Sequence, residues 1–161
     1  MARNTWKYCW VGLLLFCACE RLPIYQKNIV LDNCHWPVDT VLEFSFRVKN
    51  IAPAYDILLV VKNTQDYPYQ NLYATHYLED ETKHLLHQTL NNCPLFDFKT
   101  GKPLGSGLGK SKKHELVIVE DHQFSHTGLY IIKLEHFMRT DTLPGLQAIG
   151  IKVVPSQKHP K

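Results

Sequence analysis

The sequence predicts an all-β protein, an antiparallel β-sandwich of the jelly-roll or immunoglobulin-like kind. Short strand-like runs recur along the chain and are separated by turn residues, which is typical of sandwiches rather than of βαβ folds. No segment after the N-terminal leader has convincing helical periodicity. A chain of 161 residues fits one domain.

The first eighteen residues are predicted to be a secretion signal. Arg3 and Lys7 lie at the start of the chain, and an apolar run, Tyr8 to Cys17, follows them. That run is shorter than the ~20 residues that a bilayer-spanning helix needs, and it has the length of a signal-peptide core. The alternative is a buried N-terminal helix or strand, but an uninterrupted apolar run behind two cations is unusual at a chain start.

The end of the leader resembles a lipobox, the cleavage motif of bacterial lipoproteins. In the segment Leu15 to Cys19, Ala18 occupies the small position and Cys19 the position of the lipidated cysteine. Cleavage before Cys17 would instead leave the bulky Phe16 at the small position. We therefore expect acyl chains such as palmitate on Cys19, and each buried CH₂ contributes about 0.8 kcal/mol to anchoring.

Domain boundaries follow from these signals. Residues 1–18 are predicted to be the signal peptide, and residues 19–35 the lipidated N-terminus with a linker. Residues 36–155 are predicted to form the sandwich, and the polar residues 156–161 a frayed tail.

The predicted strands begin after Thr40. Leu42, Phe44, Phe46 and Val48 alternate with polar residues, as in a strand with one face buried. The apolar run Tyr55 to Val61 suits a central strand. Further strands are predicted at Asn71–Leu78, Leu85–Leu90, Leu116–Val119, Tyr130–Phe137 and Ile149–Val154. Turn residues are predicted to separate them at Asn50–Pro53, Asn63–Pro68, Asn91–Pro94, Lys99–Gly109 and Pro144–Gly145.

The charge balance argues against a nucleic-acid partner. Of 18 basic residues, Arg3 and Lys7 belong to the leader, which leaves 16 against 15 acidic residues, or +1. This is too balanced for a nucleic-acid or polybasic membrane surface. Cys34 and Cys93 remain in the folded part, either as a disulfide or as two small buried residues.

No catalytic, cofactor or metal site is predicted. The segment Gly105 to Ser111 resembles a phosphate loop, but its glycine spacing is one residue short and a strand follows it, so a glycine-rich connection is favoured. The pairs His84/His87 and His122/His126 have mixed geometry for a metal. Ser125 next to His126 is sequence adjacency and not triad geometry.

The segment Asp66 to Leu72 is a compact aromatic turn between two strong strands. Tyr67 and Tyr69 within it form either a recognition patch or the packed end of the sandwich, with their hydroxyls in water. Pro68 suits a turn or the edge of a strand.

Four ordered segments resemble those of the GldH family of gliding-motility lipoproteins, across roughly Tyr25 to Val154. They are Trp36-Pro-Val-Asp39 before the Phe44 strand; Lys62-Asn63 with Asp66 to Leu72; Gly101 with Leu104 to Gly109; and Met138-Arg139, Asp141, Leu143 to Leu146 and Ile149-Gly150, the last preceded by Gly128-Leu-Tyr130.

The resemblance implies a non-enzymatic envelope component of the gliding machinery and its linked protein secretion system. Its implied partners are other envelope lipoproteins of these systems, together with the membrane through the lipid anchor. Residues 20–23 lack the dense acidic run associated with surface display, so we expect an outer-membrane anchor and a periplasm-facing domain. The candidate partner surface consists of Tyr67, Tyr69, Asn71, Met138 and Arg139. The alternatives are a lipid-anchored carbohydrate- or ligand-binding sandwich and a metal-dependent envelope enzyme.

Overall fold

The computed structural model describes residues 22–157, which form ten β-strands and one 3₁₀ turn, η1 (Asp32–Cys34). The predicted signal peptide and Cys19 lie outside the described residues, as do residues 158–161 of the predicted tail. The strands are β1 (Tyr25–Val30), β2 (His35–Pro37), β3 (Leu42–Val48), β4 (Tyr55–Asn63), β5 (Asn71–Asp80), β6 (Leu85–Pro94), β7 (Lys112–His122), β8 (Gly128–His136), β9 (Thr142–Pro144) and β10 (Leu146–Pro155).

The strands form two four-stranded antiparallel sheets and a small β2–β9 ribbon. The first sheet has the order β1-β10-β4-β7 and the second β3-β8-β5-β6. Every connection between these eight strands crosses from one sheet to the other, except the β5–β6 hairpin. This order is that of the eight-stranded jelly roll, which decides between the two predicted kinds of sandwich.

Alternation along the strands builds the core. In β3 the apolar side chains are buried and the polar ones exposed at successive positions, as its sequence predicted. β4 lies between β10 and β7 and is buried almost throughout, which confirms it as a central strand. Trp36 is fully buried, and its indole Nε1 donates to the carbonyl of Thr40 over 2.9 Å. This bond satisfies the one polar group of the ring.

Two predicted boundaries are corrected by the structure. β1 lies inside residues 19–35, which the sequence assigned to the linker, and it pairs with β10 from Tyr25 onward. β1 is an edge strand and most of its side chains are exposed, so its sequence shows little hydrophobic alternation. The predicted turn Asn91–Pro94 is wrong, since these residues continue β6 opposite β5. A proline is tolerated there because β6 is an edge strand.

The glycine-rich segment is a connection between the sheets, as the spacing favoured. It leads into β7, and Ser106 and Lys113 form a β-bridge that folds the segment back on that strand. A Cβ at Gly105 would lie 2.4 Å from the Lys113 carbonyl, so the close approach requires glycine. Phosphate binding of the P-loop kind requires a helix that begins at this position, and a strand begins there instead.

Cys34 and Cys93 are free thiols, so the disulfide alternative is not formed. Cys93 is buried, and burial raises the pKa of its thiol to about 11. Among residues 22–157 no helix has the length and hydropathy that a bilayer span requires.

Candidate functional site

A groove of about 490 Å³ lies on the outer face of the second sheet, where β5 begins and β8 ends. It contains four of the five residues predicted as a partner surface and three others. Its lining residues are Tyr69, Asn71, Tyr73, Leu90, Phe137, Met138 and Arg139. We call it the aromatic groove.

Backbone pairing holds the groove together. The amide of Phe137 donates to the Tyr73 carbonyl over 2.7 Å, which extends the β5–β8 ladder by one residue beyond β8. The Tyr73 amide in turn donates to the Met138 sulfur over 3.3 Å. These two bonds fix the segment after β8 against β5, so the groove is built on sheet structure.

Tyr67 is buried and contacts two residues that line the groove, Tyr69 and Asn71. It is only 5% exposed, and its hydroxyl donates to the Asn71 carbonyl over 2.8 Å. Its ring meets that of Tyr69 edge to face, with centroids 5.9 Å apart. Burial raises the Tyr67 pKa, so the hydroxyl stays a donor. Tyr67 therefore packs the sandwich end, and Tyr69 carries the exposed part of the turn.

Gly145 couples two segments that border the groove. Its carbonyl accepts from the Thr64 amide over 2.8 Å. Its φ is +79°, and a Cβ at this position would lie 2.4 Å from the Tyr67 nitrogen. The turn that carries Tyr67 and Tyr69 thus rests directly on the glycine backbone.

The groove exposes more apolar surface than an isolated side chain would. Phe137 is 69% exposed, Leu90 47%, Tyr73 38% and Tyr69 37%. Arg139 adds a cation that forms no ion pair with another residue of the described chain. Contiguous exposed apolar surface with a polar rim is typical of interaction sites.

Three groove residues were not among the predicted set. Tyr73 faces outward by the alternation of β5, and Phe137 ends a predicted strand, so both were detectable as exposed aromatics. Leu90 comes from β6, and the pairing of β6 with β5 brings it to the groove. Nothing in the local sequence indicates that pairing partner.

The histidines near the β5–β6 turn are not arranged as the candidate metal-site pair His84/His87. His84 lies exposed at the β5–β6 turn, whereas His87 stacks on the buried His76, with ring centroids 5.0 Å apart. His76 Nε2 and His87 Nδ1 are 2.8 Å apart. Asn91 Nδ2 lies 2.8 Å from His76 Nδ1.

Hydrogen bonding assigns the protons in this cluster. Asn91 Nδ2 also faces the carbonyls of Ala74 and Thr89, so the nitrogen and not the oxygen must point toward His76. His76 Nδ1 is therefore an acceptor, and its Nε2–H donates to His87. Neither nitrogen of His76 offers a free lone pair to a metal. Within residues 22–157 no three His, Cys, Asp or Glu side chains are placed to share an ion.

We expect this cluster to make the fold acid-sensitive. Burial, and then the neighbouring His87, lower the His76 pKa from 6.5 to about 4. The folded state thus holds His76 neutral between pH 6.5 and 4 while the unfolded chain takes up a proton, so stability falls as pH falls through this window. The expected loss is on the order of 2 kcal/mol in the free energy of unfolding, measured by urea denaturation at pH 7 and pH 4.

His76→Gln is the matched test of this acid sensitivity, because it retains a donor toward His87 but does not titrate. We expect its stability to vary less between pH 7 and 4 than that of the unaltered protein. His84→Gln, at an exposed position, should keep the full dependence. An unchanged pH dependence in His76→Gln would show that other groups cause the effect.

Ser125 and His126 are in contact, with Oγ and Nδ1 3.0 Å apart on the exposed loop between β7 and β8. Both side chains are solvent-exposed. A serine nucleophile requires a base that a third group orients and a site that excludes water. The pair alone does not supply these.

Comparisons with known proteins agree with the sequence resemblance. The GldH lipoprotein family model matches residues 23–153. The "Gliding motility lipoprotein GldH homolog" of Christiangramia forsetii is 24% identical over 154 residues, covering 89% of this chain and 91% of the relative.

Two solved structures from infectious bursal disease virus are also similar. The VP2 subviral particle has a TM-score of 0.42 and 14% identity over 84% of this chain, and the Gx strain a TM-score of 0.33 and 15% identity over 86%. The chain spans about a third of the length of those viral chains (33% and 31%). The family model covers most of the sequence, and the chain therefore belongs to the GldH lipoprotein family, lipid-anchored cell-envelope proteins of gliding motility.

Proposed function

We propose that this protein is a non-enzymatic docking component of the gliding machinery and its associated secretion system. In this proposal the aromatic groove binds another envelope lipoprotein of these systems and stabilises it. The observation that supports the proposal is the group of exposed aromatic and aliphatic side chains in the groove, with Arg139 beside them. Aromatic residues and arginine are the residue types that contribute most to protein interfaces.

The proposed orientation directs the groove away from the membrane. The described chain enters the sandwich at Tyr25, opposite Val153. The turn that carries Tyr69 lies at the other end of the strands, because Tyr67 approaches Gly145, the residue before Leu146. At about 3.3 Å per residue, the strand from Leu146 to Val153 separates these ends by about 23 Å. In the proposed outer-membrane orientation, the groove faces away from the bilayer and into the periplasm.

Substitutions in the groove are expected to abolish function without unfolding the protein. The double variant Tyr73→Ala/Arg139→Glu removes an exposed ring and reverses the charge at position 139. Exposed substitutions usually change stability by about 0.5 kcal/mol or less, whereas loss of an interface anchor weakens binding by about 2 kcal/mol or more. In a deletion strain, we expect the variant to accumulate normally but to fail to restore surface spreading and the levels of the other envelope lipoproteins.

Val117→Ala provides the matched control. Val117 is 53% exposed on β7, in the other sheet and outside the groove. It should restore spreading fully. Equal spreading by the groove variant and the control would rule out the groove as the functional surface.

A second candidate function is carbohydrate binding, because aromatic rings line the groove and Asn71 and Arg139 supply polar groups at its rim. Screening the intact lipoprotein against envelope glycans tests it. Binding that the Tyr73→Ala/Arg139→Glu variant loses would favour this function over docking of a protein.

A further inference from the structure

The edge strand β6 lacks the charged side chains that the other sheet edges carry, and a bulge at its start and Pro94 at its end are the protective features it has. Its ten residues contain no Asp, Glu, Lys or Arg. The opposite edge, β3, carries Glu43 and Arg47, β1 carries Lys27, and β7 begins with two lysines. Charged side chains on edges prevent pairing with other strands, so an uncharged edge of this length is open to strand addition.

The backbone groups that face outward on β6 follow from the pairing of β5. Tyr73 uses its N–H and C=O toward the segment after β8, so by alternation the groups of Leu72, Ala74, His76 and Leu78 point to β6. Their β6 partners are Cys93, Asn91, Thr89 and His87. The intervening β6 residues direct their N–H groups away from β5. Beyond the bulge at the start of β6, these are Gln88, Leu90 and Asn92.

The same residues place their side chains on the outer face of the sheet, next to the groove. Leu90 lines the groove, and Leu86 on the same face is 37% exposed. A strand added along β6 would therefore make backbone hydrogen bonds at the edge and place every second side chain beside Leu86 and Leu90. The groove and the edge together form one continuous surface.

We infer that the partner of this protein supplies an extended segment that pairs with β6 as an additional strand. The inference rests on the proposed docking function and adds the kind of partner. In this segment apolar side chains alternate with others and lie beside Leu86 and Leu90. It carries a carboxylate near the groove end, opposite Arg139, which forms no ion pair within residues 22–157. β-augmentation of this kind obtains affinity from main-chain bonds and specificity from alternate side chains.

The experiment uses the full lipoprotein in intact envelopes, with a photo-crosslinking amino acid at Leu86 and crosslinked peptides identified by mass spectrometry. Gln88→Pro removes one outward N–H without removing a bond to β5, and proline suits an edge strand. Gln88→Thr keeps the N–H and is the control. Gln88→Lys adds an edge charge and is the second blocking variant, in case the proline disturbs the fold.

The expected result is a crosslink to one contiguous segment of another envelope protein, with alternating apolar residues and a carboxylate. Its yield should fall about tenfold in Gln88→Pro and Gln88→Lys, as for one backbone hydrogen bond that is left unmade, and should persist in Gln88→Thr. Crosslinks between two copies of this chain, to glycan, or equally in all variants would overturn the inference. The groove double variant would still report on the docking function separately, through spreading.

Discussion

Replacing Cys19 by alanine is expected to release the protein from the membrane almost completely. The thiol of Cys19 is the proposed acceptor of the diacylglycerol group, and the proposal has the new N-terminus acylated after cleavage. With two or three chains and about 0.8 kcal/mol per buried CH₂, the anchor outweighs any contact that the folded domain makes with lipid. Fractionation of envelopes and intact mass spectrometry measure the result: the unaltered protein should be membrane-bound and carry acyl mass, and the variant should be released and lack that mass.

Cys17→Ala is the matched control, because Cys17 is the other cysteine near the predicted cleavage site. This variant should be processed before Cys19 and remain anchored. If Cys17→Ala were released and Cys19→Ala retained, the lipidated residue would be Cys17, which would contradict the proposed cleavage site.

Gly145→Ala is expected to destabilise the fold and the groove together. A side chain at φ +79° is strained, and its Cβ would overlap the Tyr67 backbone. Backbone strain and overpacking each cost about 1–3 kcal/mol, so the loss is on the order of 2–5 kcal/mol. The turn that carries Tyr67 and Tyr69 must move to relieve the overlap, so the variant should also fail to restore spreading. Urea denaturation measures the change in stability.

Gly101→Ala is the matched control, because it introduces backbone strain without overlap between the new Cβ and a neighbouring backbone. Gly101 has a similar φ of +66°, but nothing lies within 4 Å of a Cβ at that position. We expect this variant to lose only about 1–2 kcal/mol in the free energy of unfolding and to support normal spreading. If the two variants were equally stable, the contact between Gly145 and Tyr67 would not determine the position of the turn.

The fold was largely predictable because most strands that build the core have one exposed and one buried face. β3 and β5 show this alternation directly, and β4 shows the continuous apolar run of a central strand. β1 was missed because an edge strand with mostly exposed side chains needs little hydrophobic patterning. β2 and β9 were missed because three-residue strands are too short to show any period.

The groove was only partly predictable, for a related reason. The turn around Tyr69 and the segment at Met138 and Arg139 were recognisable from composition and resemblance. Their closeness depends on the register between β5 and β8, and the contribution of Leu90 depends on the register between β5 and β6. These pairings join residues far apart in the chain, and local sequence does not encode them. Likewise, the contact of His87 with His76 comes from the β5–β6 hairpin.

The docking role is tested most directly by photo-crosslinking from position 137 in intact envelopes, beside the same probe at position 117. Phe137 is the most exposed groove residue, and Val117 lies on the other sheet. The proposal predicts that position 137 captures one envelope lipoprotein of the gliding or secretion machinery, that position 117 does not, and that the Tyr73→Ala/Arg139→Glu variant abolishes the capture. The same abundant bystanders captured from both positions would contradict it.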